Sequence, residues 1–334
     1  MQTEEFITMA HGSGGESTGR LIDEIFAEAF RNPYLEQMED STVVPGAGRL
    51  ALTTDSFVVL PVVYPGGDIG RLCVCGTVND LAMCGAEPRY LSCSLILEEG
   101  LPLETLRQVL ASMKKAAHDA GVQIVTGDTK VVEKGRGDGL YLNTAGIGFI
   151  RHRPEGLEAV RPGDAVLVSG TVGDHGTAVM LARTGMMEGD IRSDCCALNR
   201  LVEAMLSSGA AVRILRDPTR GGVATTLNEF TEGRGFGIEL SEREIPVRQE
   251  VRAACEMLGL DPLYCANEGK LLAVCAQEDA EKLLACMRSL PEGENAALIG
   301  HVTDNAPGRV TLRTGLGGRR ILQKLAGAQL PRIC

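Results

Sequence analysis

The chain has 334 residues and a formal net charge of −11, from 44 acidic and 33 basic residues. At roughly 150 residues per domain, this length predicts about two domains. The acidic balance, without a long run of Lys and Arg, excludes a nucleic-acid backbone as the expected partner. An acidic protein repels phosphate groups as well, unless metal ions lie between them.

The N-terminus, the most apolar stretch and the cysteines indicate the subcellular location. The opening stretch MQTEEFITMA has no basic segment followed by an apolar run, so it is not a secretory signal. The most apolar stretch, 57–64, is interrupted by Pro61 and is too short to span a bilayer. We therefore expect a cytoplasmic protein without membrane contact. Its eleven cysteines include no CxxC pair, which predicts structural thiols. Cys334, the last residue, is the exception, because its surroundings in the sequence do not predict burial in a core.

Branched and apolar runs predict alternating strands and helices in the first half. A helix containing Leu21 and Phe26 follows the glycine-rich stretch HGSGGEST. Strands are expected at 50–64 (one or two), 89–97, 121–132 and 140–150. Helices are expected at 70–85 and 103–120.

The amino-acid composition changes near residue 155, where charged residues and two prolines precede a new strand at 165–169. Helices are expected at 173–185, 194–208, 221–233, 249–258 and 278–290, and strands at 212–215, 236–240, 270–276 and 296–302. These form a second α/β unit. Few large anchors follow Arg319, so we expect a mobile tail. The predicted division is 1–155, 156–320 and a tail at 321–334.

Four aspartates stand among Gly, Thr and Asn residues rather than on charged helix faces: Asp55, Asp80, Asp128 and Asp217. Burying a carboxylate is costly unless it meets a cation or several donors. Mg²⁺ binds carboxylate and phosphate oxygens together, so it can join an acidic pocket to an anionic nucleotide. The sequence therefore predicts a metal site at these aspartates. The alternative is that each one caps a turn or a helix.

Three further features suggest chemistry. Gly12, Gly14 and Gly15 precede the first helix, where free N–H groups can face an anion, although the Walker spacing is absent. Lys130 lies two residues after Asp128 on the same side of a strand, and Glu268 precedes the strand at 270–276. The alternatives are a flexible turn for the glycines and solvated surface groups for Lys130 and Glu268.

Taken together, the motifs resemble a known family. The segments TTDSFVV, GTVNDLAMCGA, GDTKVV, SGTVGDHG, DPTRGGVA and NEGK occur in this order, after HGSGG and before the terminal PRIC. The set is similar to the HypE family of hydrogenase maturation factors, within the PurM-like ATP-binding superfamily. The resemblance covers essentially the whole chain.

This resemblance implies an α/β, PurM-like two-domain fold, with an N-terminal domain that dimerises through its sheet and a C-terminal α/β domain. It implies Mg·ATP in the cleft between them. The four aspartates would hold metal and phosphate, and the matching motifs add nucleotide-binding positions, which gives the set Gly12, Gly14, Gly15, Asp55, Asn79, Asp80, Asp128, Thr129 and Asp217.

The resemblance also implies the reaction. Cys334 would receive a carbamoyl group from the carbamoyltransferase HypF, and the protein would dehydrate that group to a thiocyanate with ATP. The cyano group would then pass to iron held by the HypC–HypD complex.

We assign Glu268 as the base towards the amide protons and Lys130 as the group that neutralises developing charge. The two roles can be exchanged, or His11 or His175 can serve as the base.

Two competing hypotheses remain. A small-molecule kinase or synthetase of the same fold, such as thiamine-phosphate kinase, selenophosphate synthetase or the purine cyclo-ligase, has no use for a terminal thiol. A non-enzymatic scaffold would bind nucleotide and only present Cys334 to partners.

Overall fold

The computed structural model describes residues 6–12, 16–35, 44–46, 48–186 and 190–325. In this part of the chain, a four-stranded sheet and a seven-stranded sheet are packed with helices, and a two-stranded ribbon at 63–68 falls between the first two strands of the smaller sheet in sequence. This is the α/β architecture that the sequence predicts. Over the same residues, no helix combines the length and the apolar character needed to cross a membrane.

The first half builds the smaller sheet. A 3₁₀ turn, Met9–Gly12, precedes a helical run made of α1 (Glu16–Leu21), a π-helical segment (Ile22–Phe26) and α2 (Ala27–Phe30). Then follow β1 (Leu50–Phe57), β2 (Val63–Tyr64), β3 (Gly67–Asp68), α3 (Ile69–Met83), β4 (Ala86–Glu98), α4 (Leu103–Ala120), β5 (Gln123–Val132) and β6 (Leu140–Ile150). The strand order is β1-β6-β4-β5, with β4 and β5 parallel. The predicted helices and strands here are confirmed, with small shifts at their ends.

The second half builds the larger sheet. Its elements are β7 (Ala165–Val168), α5 (Asp174–Thr184), α6 (Asn199–Ser207), β8 (Val212–Arg216), α7 (Gly222–Thr231), β9 (Gly237–Ser241), α8 (Gln249–Leu258), β10 (Leu272–Cys275), α9 (Ala280–Arg288), β11 (Ala297–Thr303), β12 (Val310–Arg313) and β13 (Arg319–Leu322). The strand order is β13-β12-β9-β11-β7-β10-β8. Every predicted element is present, and α6 starts later than its predicted residue 194.

Helices cover both faces of the larger sheet. Val166 and Val168 of β7 pack towards α7, whereas Ala165 and Leu167 pack towards α6 and α9. A strand that is buried on both faces needs an unbroken apolar sequence, which explains why β7 reads AVLV without alternation.

Helix α3 lies at the centre of the molecule. It contacts β1, β4 and β6 of the smaller sheet, α4 on another side, and α6 and β8 of the second half. The Asp68 carboxylate caps its start by accepting from the Arg71 N–H at 2.9 Å. Nearly all of its residues are buried, as expected for a helix whose surface is small or apolar all round.

Strands β12 and β13 were not predicted. They pair antiparallel as a short hairpin at the edge of the larger sheet, and Leu322 is buried there. Strand β13 includes residue 321, where the tail is predicted to start, and the Tyr264 hydroxyl donates to the Gln323 carbonyl at 2.9 Å. Residues 326–334, including Cys334, lie outside the described residues.

The crossing of α3 and α4 yields a stability prediction. A Cβ on Gly70 would lie 2.3 Å from the Val109 carbonyl oxygen and 2.8 Å from Met113 Cγ. Gly70→Ala should therefore lower the free energy of unfolding by about 1–3 kcal/mol through overpacking, although alanine is the better helix former. Chemical denaturation measures this value.

The matched control is Gly19→Ala in α1, where the same Cβ would meet nothing within 4 Å. This change should leave stability unchanged or raise it by up to about 1 kcal/mol. Equal effects of the two substitutions would contradict the close helix crossing.

Candidate active site

Four carboxyl groups, from a strand, a helix and two connecting segments, converge where the two halves of the molecule meet. Asp55 lies on β1, Asp80 on α3, Asp217 directly after β8, and Glu268 shortly before β10. Electrostatic coupling joins Asp55, Asp80 and Asp217 to one another, and joins Glu268 to Asp55 and Asp217. We call these four residues the carboxylate cluster.

The position of α3 against β1 brings the Asp80 carboxylate close to that of Asp55. Gly76 and Asp80 are four residues apart and share one face of the helix. A Cβ on Gly76 would lie 3.0 Å from the Phe57 ring and 3.9 Å from Asp55 Oδ2, so β1 passes close to this face. The Thr53 hydroxyl donates to Asp80 Oδ2 at 2.8 Å and fixes the carboxylate in place.

The charges in the cluster oppose one another. Burial, followed by the nearby Asp80 charge, raises the pKa of Asp55 from 3.8 to about 6, with Arg220 offsetting part of the rise. Burial and the same Asp80 raise the pKa of Asp217 to about 7. Carboxylates with raised pKa values bind a proton or a cation more readily than isolated carboxylates. The cluster is therefore suited to a hard cation.

Glu268 is the most deeply placed member of the cluster. Its side chain is 3% exposed, and Oε1 is buried without a hydrogen-bond partner among the described residues. Burial, then the charges of Asp217, Asp194 and Asp55, raise the pKa of Glu268 well above 4.5. A buried carboxyl group with a raised pKa and a free oxygen has the properties of a general base or acid.

Asn79 holds this part of the molecule together. Its side-chain nitrogen donates to the Cys196 carbonyl at 3.1 Å and to the Glu268 carbonyl at 3.3 Å. Its side-chain oxygen accepts from the Leu198 N–H at 2.8 Å. The amide that the sequence assigned to nucleotide binding is thus engaged by backbone groups, and it fixes the position of Glu268.

Asp128, Thr129 and Lys130 lie on β5, at the opposite edge of the smaller sheet from Asp55. Three strand spacings separate β1 from β5, which amounts to about 14 Å. Lys130 Nζ pairs with Asp128 Oδ1 at 2.8 Å on the exposed surface, and this hydrogen bond lowers the pKa of Asp128. Within a single chain, the fold therefore brings together three of the four predicted metal aspartates, Asp55, Asp80 and Asp217. It places Asp128 and Lys130 away from them and from Glu268.

The glycine-rich loop is described only in part. Gly12 ends the 3₁₀ turn, which packs against β5. Gly14 and Gly15 lie outside the described residues, as does Cys334.

Both candidate histidines have polar neighbours. The Thr8 backbone N–H donates to His11 Nδ1 at 3.0 Å, and His11 is buried. His175 is fully buried, with Nδ1 2.8 Å from the Ser193 hydroxyl and its ring edge-on to Tyr64. Both rings are held in structural contacts, which favours Glu268 as the base.

Two buried acids have no role assigned from the sequence: Asp194, which lies beside Glu268, and Asp174, which lies beside Asp194. Asp174 begins α5, and the similarity of GTVGDHG to GTVND offered a signal for it, since each places an acid near a helix. Asp194 lies in the connection before α6, and nothing in the stretch RSDCCALN distinguishes it. Only the fold brings Asp194 to Glu268.

Comparison with known proteins identifies the family. Residues 38–150 match the family model "AIR synthase related protein, N-terminal domain", and residues 161–313 match the corresponding C-terminal domain. The carbamoyl dehydratase HypE of Azotobacter vinelandii is 52% identical over 98% of this chain and 97% of its own length.

Two solved structures are similar along nearly the whole chain. A hydrogenase maturation protein HypE in complex with ATP has a TM-score of 0.93 at 49% identity, covering 98% of this chain and 99% of that one. HypE from a HypE–HypF complex has a TM-score of 0.79 at 47% identity, covering 91% of this chain and 99% of that one. The chain therefore belongs to the HypE family of carbamoyl dehydratases, hydrogenase maturation proteins with a PurM-like two-domain fold.

Proposed function

We propose that this chain binds Mg·ATP at the carboxylate cluster and uses ATP to dehydrate an S-carbamoyl group on Cys334 to a thiocyanate. The observation that carries the proposal is Glu268, a buried carboxyl group beside three coupled aspartates, with one Glu268 oxygen that has no hydrogen-bond partner in the part of the chain that the structure describes. The solved HypE complex with ATP supports nucleotide binding. We also propose 1–155 and 156–320 as the two domains that form the cleft.

The donor set of the cluster fits Mg²⁺. Among the described residues, no group of three or more His, Cys, Asp and Glu side chains forms a metal site by itself. Mg²⁺ commonly needs only one or two carboxylates and takes its remaining ligands from water and phosphate. Asp55, Asp80 and Asp217 would hold the ion. Bound there, it supplies charge neutralisation between the carboxylates and the phosphates.

The chemistry explains why a base and a nucleotide must meet. The oxygen of Cys–S–C(=O)–NH₂ is a poor leaving group until it takes the γ-phosphoryl group of ATP. Two protons then leave nitrogen, the C–O bond breaks as the C≡N bond forms, and phosphate departs with the oxygen. The products are Cys–S–C≡N, ADP, phosphate and a proton.

In this scheme Glu268 accepts the amide protons, and its burial excludes water that would hydrolyse the intermediate. Lys130 neutralises charge on the transferred phosphoryl group. The glycine-rich loop at Gly12, Gly14 and Gly15 and the β5 residues Asp128 and Thr129 contact the nucleotide.

A homodimer would bring β5 to the cluster. The outer face of the smaller sheet exposes Leu50, Leu52 and Ile96, and the register places Leu52 beside Ile147. An apolar sheet face of this kind is typical of an interface. We propose that a second copy packs on this face and supplies Asp128 and Lys130 from its own β5.

We propose two protein partners. The solved HypE–HypF complex supports HypF as the donor of the carbamoyl group. The iron-bearing HypC–HypD complex would accept the cyano group, because a thiocyanate is a carrier that needs an acceptor.

Substitution of Glu268 tests the reaction. Glu268→Gln should retain ATP binding and reduce thiocyanate formation by at least about 100-fold, because the amide cannot accept a proton. After incubation with HypF, carbamoyl phosphate and Mg·ATP, mass spectrometry should find the wild-type C-terminal peptide heavier by about 25 Da and the variant stalled at about 43 Da.

Glu281→Gln on the exposed face of α9 is the matched control and should turn over like the wild type. Unchanged turnover in Glu268→Gln would remove Glu268 from the mechanism. A wild-type protein that also stalls at the carbamoyl adduct would favour the scaffold hypothesis.

The raised pKa of Asp217 predicts a pH-dependent stability. Between pH 3.8 and about 7, the folded protein holds a proton that the unfolded chain has lost. Stability therefore falls as pH rises through this window, by up to about 4 kcal/mol at about 1.4 kcal/mol per pKa unit. Asp217→Asn should remove this loss and unfold at a higher temperature than the wild type at pH 8 with EDTA.

Asp217→Asn should also lose most of the stabilisation that Mg·ATP gives the wild type in thermal unfolding. The comparison is Asp164→Asn, which removes a buried partner of Arg213 and should lower stability at pH 8. The assignment is wrong if wild type and Asp217→Asn show the same pH dependence.

Mixing two variants tests the dimeric site. Asp55→Asn and Asp128→Asn should each be inactive alone. If Asp128 acts from the second copy, random assembly of the two co-expressed variants restores about a quarter of wild-type activity, because half of the dimers contain one intact site. Restoration of no activity would show that both aspartates act within one chain.

A further inference from the structure

One carboxylate links the residues on either side of Gly269. Asp194 Oδ1 accepts from the Glu268 N–H at 3.0 Å, and Asp194 Oδ2 lies 3.7 Å from Lys270 Nζ. The Asp194 side chain is only 4% exposed and that of Lys270 13% exposed, so the ion pair is shielded from solvent.

The two backbones also touch at this point. A Cβ on Gly269 would lie 1.8 Å from the Asp194 carbonyl oxygen and 2.7 Å from Cys196 Sγ, so only glycine allows this approach. The connection carrying Asp194 is therefore packed directly against the segment carrying Glu268.

Side chains from two other elements hold the backbone of Glu268. Asp194 binds its N–H, and Asn79 of α3 binds its C=O at 3.3 Å. Glu268 lies in a bend outside β10 and has no ladder partner there. These two hydrogen bonds, rather than a sheet, fix its orientation.

On the Lys270 side, this buried segment borders an open space. Lys270 and Cys196 line a cavity of about 280 Å³ together with Ser169 and Thr171. Where packing is incomplete, polar contacts set the geometry of a segment, so loss of the Asp194 contact should let Glu268 move.

We propose that Asp194 is a positioning residue that orients Glu268 through its backbone nitrogen and adds a negative charge beside it. This inference rests on the proposed function of Glu268 as the base. The charge has a chemical effect as well, since Asp194 contributes to the raised pKa of Glu268 together with burial and Asp217.

The two contacts of Asp194 can be separated by substitution. Asp194→Ala removes both of them. Asp194→Asn keeps an oxygen that can accept from the Glu268 N–H but removes the charge. Asp194→Asn combined with Lys270→Met also removes the lysine charge that would otherwise lose its Asp194 counter-charge.

The experiment uses the full-length chain, carbamoylated beforehand, and measures the rate of thiocyanate formation after Mg·ATP is added. Asp194→Ala should bind ATP within about twofold of wild type but react about 10- to 100-fold more slowly, as when outer partners of a functional group are removed. Asp194→Asn should recover most of this rate.

The pH profile separates positioning from folding. Without the Asp194 charge, the pKa of Glu268 falls, so its ionised form persists to lower pH. The acid limb of the rate profile should move to lower pH in Asp194→Asn. A purely structural role would lower the rate without moving this limb.

The matched control is Asp164→Asn. Asp164 also accepts from a backbone N–H, that of Arg161 at 2.9 Å, and pairs with a basic side chain, Arg213 at 3.2 Å. Asp164 lies outside the carboxylate cluster. Its substitution by Asn should therefore lower thermal stability and leave the rate of thiocyanate formation and its pH profile unchanged.

The outcomes are distinct. If wild type forms no thiocyanate, the proposed function fails. If wild type reacts and Asp194→Ala reacts equally fast, only this inference fails. It also fails if the pH profile of Asp194→Asn matches wild type, or if Asp164→Asn slows the reaction as much as Asp194→Ala does.

Discussion

Repulsion between carboxyl groups in one partly buried volume is the constraint on which the rest of this structure depends. Burial, and after it the charge of Asp80, raises the pKa of Asp55 and of Asp217, and Arg220 and Arg216 offset only part of that effect. No single segment of chain would hold such groups together by itself. A strand, a helix and two connections from both halves of the molecule meet to do so, and the result is a site that a proton or a cation stabilises.

Helix α3 makes this convergence possible. It packs on the smaller sheet, carries Asp80 towards β1, and extends Asn79 to the connections that hold Glu268. Its composition follows from this place, because small and apolar residues let neighbours approach on every side, as at Gly70 and Gly76. The same helix therefore serves the core and the site.

Local patterns in the sequence predicted the elements well. Helix α4 was predicted to the residue, because one face of it is buried and its apolar spacing is clear. Strands β12 and β13 were missed, since a short edge hairpin with few large residues resembles a tail. Grouping four aspartates by chemistry placed Asp128 with the others, but strand order puts β5 at the far edge. Asp194 and the backbone role of Asn79 had no local pattern, because both arise from contacts between distant segments.

The amide of Asn79 has a mechanical consequence. Its three hydrogen bonds join a helix of the first half to the backbone of the second, in the interior of the protein. Separating the two halves at this point would break all three hydrogen bonds, at a net cost of about 0.5–1.5 kcal/mol for each. Asn79 therefore stabilises the arrangement in which the two halves meet and Glu268 lies beside the other carboxyl groups.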